Sequence, residues 1–462
     1  MLTLFDAFRT ASNSLKAAGE ALAVTQMNLT NAGVAGYARQ NVNLIADGFD
    51  PTRGLAGGVR SGTPINTRSK YAEQVVWGQA SRKGFFEGFT QAANGVDFIL
   101  GLNDVNGGSG VQSAMDQLFK GFSELQGGAH SPLAQSSMLQ KANGLAITIS
   151  QTAEFLEQSS ASAATGIQAT VDKINTLIDS LQQWSSQPGS KDGAAEAQLY
   201  SNLEQLSELV PITAQVGSDG SLTVMLNGQI PLVNATQKYP LSVAYAAPDS
   251  GDPFPTAEAQ LQIHTASGED ITGDIDGGEL GGLLDYRNRF LASLLGDGKQ
   301  QGDLNRLAQG IADSVNSALG GTPLFQYDAA DPTHIARGLK VDTSFTVADL
   351  GAAINADPTI PDKLATIFKG TVPANQVDGQ SFTAFLVTLS VRSSTELNSA
   401  THGLNLQAQF LTQAQNMRES VQGSSTEQAA VELLQYQRAY EAATRVISTL
   451  DQLTELTINL GR

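Results

Sequence analysis

From Leu4 to Leu29, apolar and small residues recur every seven positions in two interleaved sets. Phe8, Leu15, Leu22 and Leu29 make one set, and Leu4, Ala11, Ala18 and Thr25 the other. Two such sets are the seam of a coiled-coil helix, about 40 Å long over four heptads. Ala11, Ala18, Gly19 and Ala21 are small enough for a partner backbone to come close. At the other end of the chain, Val431, Leu434, Tyr436, Tyr440, Ala443, Ile447, Leu450 and Leu453 fall mostly three or four apart. This predicts a second long helix over Ser425 to Leu460, with one dry face. Ser424 and Ser425 precede Glu427 and Gln428 by three residues, which suits a capped helix start, and Gly423 marks the break before it. Glu432, Arg438, Glu441, Arg445, Asp451 and Glu455 flank the stripe with mixed charge. A single helix of this kind is marginal in water until its apolar face packs on something else. The two terminal helices are therefore expected to pair with each other.

Between them the period is again helical. Residues 46–64 are rich in glycine and read as an extended connector. Val75, Val76, Phe85, Phe89 and Val96 mark one helix, and Val111, Met115, Leu118, Phe119, Phe122 and Leu125 the next, ended by Gly127-Gly128. Ser131-Pro132 is a strong start signal, since serine caps and proline at the first helical position needs no amide. It opens a helix carrying Met138, Ala142, Leu145, Ile149, Ala153 and Leu156; Ile167, Val171, Ile174, Ile178 and Leu181 predict another. Leu199, Leu203, Leu206 and Leu209 predict one more, before Pro211.

From Ile212 the period drops to two. Ile212, Ala214 and Val216, then Leu222, Val224 and Leu226, lead into Asn227-Gly228, a strong hairpin signal. Leu241, Val243 and Tyr245, and Ala259, Leu261 and Ile263, suggest further strands. Helices resume with Leu280 to Leu294 and Leu304 to Val315. A mixed stretch at 320–380 places Val341 in a strand and Val347, Leu350 and Ile354 in a short helix; Phe382, Phe385 and Leu389 open a long helix leading back to the terminal one. The predicted fold is mainly α with a smaller β module. Residues 1–50 and 424–462 form a terminal coiled-coil domain, 51–211 and 276–423 a helical bundle, and 212–275 an inserted β module.

Composition narrows the chemistry. Lys plus Arg number 27 against 45 Asp plus Glu, a net charge of −18, which argues against nucleic acid or an anionic membrane as partner. Without cysteine there are no disulfides and no thiolate metal sites. No basic segment followed by an apolar run opens the chain, and no stretch approaches the length of a membrane span, which alone points to the cytoplasm. His130, His264, His334 and His402 each lack a second ligand at metal spacing. Gly107-Gly108-Ser109-Gly110 lacks the frame of a nucleophile elbow, and Gly296-Asp297-Gly298-Lys299 that of a phosphate loop. Asp270, Asp274, Asp276 and Glu279 do not fit the twelve-residue calcium loop. The sequence therefore points to no enzyme, cofactor or metal.

Just after the first heptad stretch stands Asn28-Leu29-Thr30-Asn31-Ala32-Gly33-Val34-Ala35-Gly36-Tyr37-Ala38-Arg39-Gln40. With the spacing N-x-x-N-x-x-x-x-G-Y-x-R-Q, it resembles the signature that bacterial flagellar axial proteins carry behind their N-terminal helix. Gly33, Val34 and Ala38 depart from the usual Asn, Thr and Ser, while Asn28, Asn31, Gly36, Tyr37, Arg39 and Gln40 stand. The segment Glu432 to Ala443, reading ELLQYQRAYEAA, narrows the resemblance to the members at the hook-filament junction. Family-like segments recur at 110–126, 206–233 and 278–284.

The resemblance implies a structural protein of the flagellum that joins hook to filament by self-assembly through its terminal helices. It implies further copies of the chain, the hook protein, a second hook-associated junction protein and an export chaperone on the C-terminal helix as partners. It also implies passage through the flagellum's own export channel to an extracellular site. The competing expectations are a secreted coiled-coil surface protein whose β module binds a ligand, and another axial protein of hook, rod or junction.

Overall fold

The heptad segments fold as the first and last helices of the computed structural model, which describes residues 2–48, 58–96, 110–187, 193–217, 220–247, 249 and 251–460. The centre of the expected connector at 49–57, the glycine-rich stretch at 103–109 and the expected helix stop at 188–189 lie outside the described residues. Helix α1 (Leu2–Thr30) is followed by β1 (Gln40–Asn41), β2 (Leu44–Ala46), β3 (Val59–Ser61) and β4 (Ile65–Asn66). The described residues on either side of the connector's centre are thus paired antiparallel rather than simply extended: Leu44 faces Ser61, Ile45 faces Arg60, and Gln40 faces Asn66. Alternation over so few residues is too short to show in a pattern search. The ribbon lies against α1, with β3 packed on the helix.

Next come α2 (Lys70–Ala92), capped by the Ser69 hydroxyl on the Ala72 amide, then α3 (Gly110–Gly127), α4 (Pro132–Ser186) and α5 (Gly193–Leu209). The two stripes expected to be separate helices are one 55-residue helix, α4. The Ser/Ala-rich stretch between them contains no proline, and Gly166 is tolerated where the Leu283 side chain packs against it.

Strands β5 (Ile212–Val216), β6 (Leu222–Leu226), β7 (Ile230–Asn234) and β8 (Gln237–Lys238) form an antiparallel sheet in chain order; β9 (Ser242–Tyr245) and β10 (Leu261–His264) pair separately. Asn227 and Gly228 both adopt positive φ, 47° and 73°, as the tight turn between β6 and β7 requires.

Helix α6 (Gly278–Asp285) runs through a π-helical turn at Tyr286–Leu291 into α7 (Ala292–Leu295). It touches α2 almost backbone to backbone: a Cβ at Gly282 would sit 2.0 Å from the Phe85 carbonyl oxygen. Helix α8 (Asp303–Leu319) follows. The mixed stretch resolves into β11 (Phe325–Gln326), α9 (Ile335–Gly338), β12 (Lys340–Val341), α10 (Val347–Ala356), α11 (Ile360–Ile367), β13 (Gln376–Val377) and β14 (Gln380–Ser381). Helices α12 (Phe382–Gln422) and α13 (Thr426–Leu460) complete the chain, and α13 runs beside α1.

Two apolar cores hold the body. One gathers α3, the first half of α4, Tyr286 to Leu294, α8 and the first part of α12 around Phe122, Leu145, Tyr286, Phe290 and Phe382. The other packs the second half of α4 with α5, α6 and the sheets of β5–β8 and β9–β10, so those strands share their interior with helices. No helix among the described residues is long and apolar enough to cross a membrane.

Candidate assembly site

Helix α1 ends in a turn tied by one side chain. Asn28 is buried; its Nδ2 donates to the Gln40 carbonyl at 2.8 Å, and its Oδ1 accepts from the Gln40 amide at 2.9 Å and from the Tyr37 hydroxyl at 2.8 Å. A buried amide that satisfies donor and acceptor at once fixes a loop more tightly than two separate bonds would. Asn31 donates back to the Met27 carbonyl at 3.0 Å. Gly36 has φ +76°, and a Cβ there would stand 2.4 Å from the Ala197 carbonyl oxygen of α5, so the turn lies directly on that helix. The Tyr37 phenol is pushed up to about 12, first by burial and then by the nearby Glu196 carboxylate. The sequence motif is thus a knot that seats the end of α1 on the body.

Beside the knot lies a buried ionic node. Glu73, in the first turn of α2, is 1% exposed at its side chain, and Arg68 is 3% exposed. Arg68 Nη1 meets Glu73 Oε1 at 2.5 Å, its Nε lies 3.3 Å from Glu196, and its Nη2 donates to the Gly36 carbonyl at 2.8 Å. Its guanidinium also covers the Tyr200 ring at 3.6 Å, and Trp77 stacks with Tyr200, ring centroids 6.1 Å apart. From the far end of the chain, Arg418 reaches Glu73 at 3.2 Å and Glu204 at 2.6 Å. Gln422, the last residue of α12, donates to Glu73 at 2.7 Å, accepts from the Ser69 amide at 2.9 Å through its side chain, and accepts from the Arg39 amide at 2.9 Å through its carbonyl. The node therefore joins the exit from α1, the start of α2, the face of α5 and the end of α12.

Above this base stand α1 and α13. The expected seam is divided by depth. Ala11, Ala18 and Thr25 are buried, together with Ala17, Ala21, Val24 and Asn28. Leu4, Leu15, Leu22 and Leu29 are only half-buried, and Phe8 is 40% exposed. Small residues let the ribbon and α13 come close: a Cβ at Gly58 would sit 2.8 Å from Thr10 Cγ2, and one at Gly19 would lie 3.5 Å from the Tyr440 ring. On α13, Tyr436, Ala443, Ile447 and Leu450 are half-buried, while Leu434, Tyr440 and Leu453 are exposed, as are Val431, Val446, Leu456 and Ile458. A two-helix pair can cover one side of each helix. The apolar positions on the other sides face outward, unlike those of a closed helical bundle.

The sequence pattern named the two helices and the motif residues. It missed Arg68, Glu73, Glu204, Arg418 and Gln422, whose charges and amides read locally as solvated surface.

Comparison with known proteins bears on this arrangement. Residues 102–321 match the family model of the flagellar hook-associated protein FlgK helical domain, and residues 423–460 match that of the flagellar basal body rod FlgEFG protein C-terminal region. The chain is 23% identical over 517 residues to flagellar hook-associated protein 1 of Bacillus subtilis, a match covering 99% of each. It is 26% identical over 322 residues to flagellar hook-associated protein 1 of Salmonella typhimurium, covering 66% of this chain and 55% of that one, so the match spans about half of the longer relative. Among solved structures, the flagellar hook junction protein FlgK from Burkholderia pseudomallei matches with TM-score 0.45 and 22% identity, over 56% of this chain and 47% of that one.

Proposed function

The chain belongs to the flagellar hook-associated protein 1 family, and from that membership we propose that it is built into the junction between hook and filament through its paired terminal helices. One observation carries the reading: α1 and α13 pair with each other yet leave apolar positions on both helices turned outward. Burial of such positions drives association in water, at about 25 cal/mol per Å² of apolar surface removed from it. The surface left open on this pair is what further copies, and the hook and filament components that the family joins, would cover. The work is mechanical and structural.

Within that reading each site residue has a role. Leu4, Phe8, Leu15, Leu22 and Leu29 on α1, with Leu434, Tyr436, Tyr440, Ala443, Ile447, Leu450 and Leu453 on α13, form the assembly core. Asn28, Asn31, Gly36, Tyr37, Arg39 and Gln40 seat that core on the body. Residues 1–50 with 424–462 act as the assembling unit, and 51–211 with 276–423 and the strands of 212–275 form the outer layers. The chain leaves the cell through the flagellar export channel. An export chaperone shields the apolar face of α13 beforehand, and a second hook-associated protein follows on the filament side.

The test is Leu22→Asp and, separately, Ile447→Asp, each expressed in cells that lack the wild-type chain. Both side chains are half-buried on the terminal pair, so the body should keep its helical signal while the chain disappears from isolated flagella and filaments fail to attach. Variants that still build working junctions would remove the terminal helices from the mechanism. The ligand-binding alternative draws little from the β module: of its aromatic side chains among the described residues, Tyr245 alone is exposed, held over Arg287.

A further inference from the structure

We propose that the outer face of α12, formed by Leu406, Phe410, Met417 and Val421, is a contact with a neighbouring copy of this chain, distinct from the terminal helices. The inference rests on the junction reading above. These four side chains are 47%, 41%, 38% and 53% exposed, and their spacing of four, seven and four puts them on one face of the helix.

The helix that carries them is fixed from behind. Leu411 and Ala414 pack on Val76 and Ala80 of α2, and the Phe86 ring fills the space beside Gly403. Arg418 is held by Glu73 and Glu204 at the foot of the helix. The stripe is therefore presented in advance, and little ordering cost falls on the partner's arrival.

Charge selects the partner. Residues 397–417 contain no Asp, Glu, Lys or Arg, 21 residues in a row and the longest such run in a chain of net charge −18. The exposed polar residues on this stretch include Asn405, Gln409, Gln413 and Asn416, none of them acidic, and the exposed His402 one turn before Leu406 adds no negative charge. A basic partner would be met by acidic side chains, which this face lacks. A second copy is itself strongly acidic, and contact between two copies costs least where like charge is absent. Aromatic and methionine side chains within a charge-depleted patch are the composition of an interface centre. The face also leads directly, through Gly423 to Ser425, into the helix whose exposed apolar side serves the proposed assembly.

The test places a photo-reactive benzophenone amino acid at Phe410, at Met417 and, as reference, at the exposed Lys238 of β8, in the full chain expressed in flagellated cells. Flagella are isolated and irradiated, and crosslinked species identified by mass spectrometry. The expected result is a species of two copies of this chain from positions 410 and 417, and none from 238. Phe410→Glu with Met417→Glu should lower the amount of chain in isolated flagella about tenfold or more, with the circular dichroism of the purified monomer unchanged. Chains present in flagella that give no self-crosslink from 410 or 417, or crosslink there only to a different protein, would overturn the inference and leave the junction reading standing. Absence of the wild-type chain from flagella would overturn both.

Discussion

Glu73→Ala should be among the more damaging single changes in the body, although the residue lies outside both apolar cores and far from either chain end. Its carboxylate is buried against Arg68, Arg418 and Gln422, at 2.5, 3.2 and 2.7 Å. Removing one partner of a buried ion pair typically costs about 3–5 kcal/mol, because the other charge is left without compensation. Here neither guanidinium is wholly orphaned. Arg68 keeps Glu196, the Gly36 carbonyl and the Tyr200 ring, and Arg418 keeps Glu204. The loss should therefore fall at the low end, about 3 kcal/mol.

Trp77 supplies the assay. It is one of two tryptophans and is buried against Tyr200, so in a Trp184→Phe background its fluorescence reports on the node alone. With a urea dependence of about 2–3 kcal/mol per M, the midpoint of the Trp77 transition should fall by about 1 M. The shift should change little between low and high salt, since buried pairs are weakly screened. Lys238→Ala breaks an exposed pair with Asp179 of similar length, and should cost under about 1 kcal/mol. A Glu73→Ala loss as small as that of Lys238→Ala, or one that salt abolishes, would refute the node as a structural joint.

The other predictions are read by related measurements. Gly36→Ala should lower the stability read from the same transition by more than about 1 kcal/mol, since it puts a side chain at positive φ and against the Ala197 carbonyl; a neutral result would mean that the turn does not rest on α5. Asn28→Ala leaves the Gln40 amide without its acceptor, and hydrogen exchange at that amide should accelerate while exchange in the middle of α4 stays unchanged. Tyr37, Tyr286 and Tyr327 are each pushed from the ordinary 10.0 up to about 12, in every case first by burial. The folded chain holds these protons more tightly than the unfolded chain. Their contribution to stability is complete below pH 10.0 and is lost as pH rises towards about 12. Tyr200 is raised as well, first by burial, so in an absorbance titration four of the nine tyrosines should ionise late or only with unfolding, and one uniform step near pH 10.0 would contradict their burial.

What the sequence revealed followed from periodicity, and what it hid followed from distance. The terminal helices, the hairpin at Asn227-Gly228 and the short helix around Leu350 each announce themselves within a few turns of chain, because local spacing decides which face is dry. The depth of the seam does not. Heptad spacing cannot tell which of two interleaved sets goes inside, and close packing chose Ala11, Ala18 and Thr25 over the larger Phe8, Leu15, Leu22 and Leu29. The ionic node was hidden for a different reason. Glu73 and Gln422 meet across 349 positions, and each alone resembles an ordinary solvated residue near a helix end. The resemblance pointed to Asn28, Tyr37 and Gln40 together, but only the structure shows one amide binding the other two. The π-helical turn at Tyr286–Leu291 left no sign in the apolar spacing, which continues helically through Phe290 and Leu294.

The single helix α4 places Met138 to Ala163 in one core and Ile167 to Leu181 in the other. At 55 residues it is about 80 Å long, and no loop or proline interrupts it between the two halves. A rotating filament twists and flexes whatever joins it to the hook. In a body hinged on a loop, each turn of the motor would work the two cores against each other like a universal joint. Here a sharp bend between the cores requires consecutive backbone hydrogen bonds of one shaft to open, and the shaft otherwise only curves gently. Torque is therefore handed on with little compliance inside the subunit, and the flexing is left to the seams between subunits.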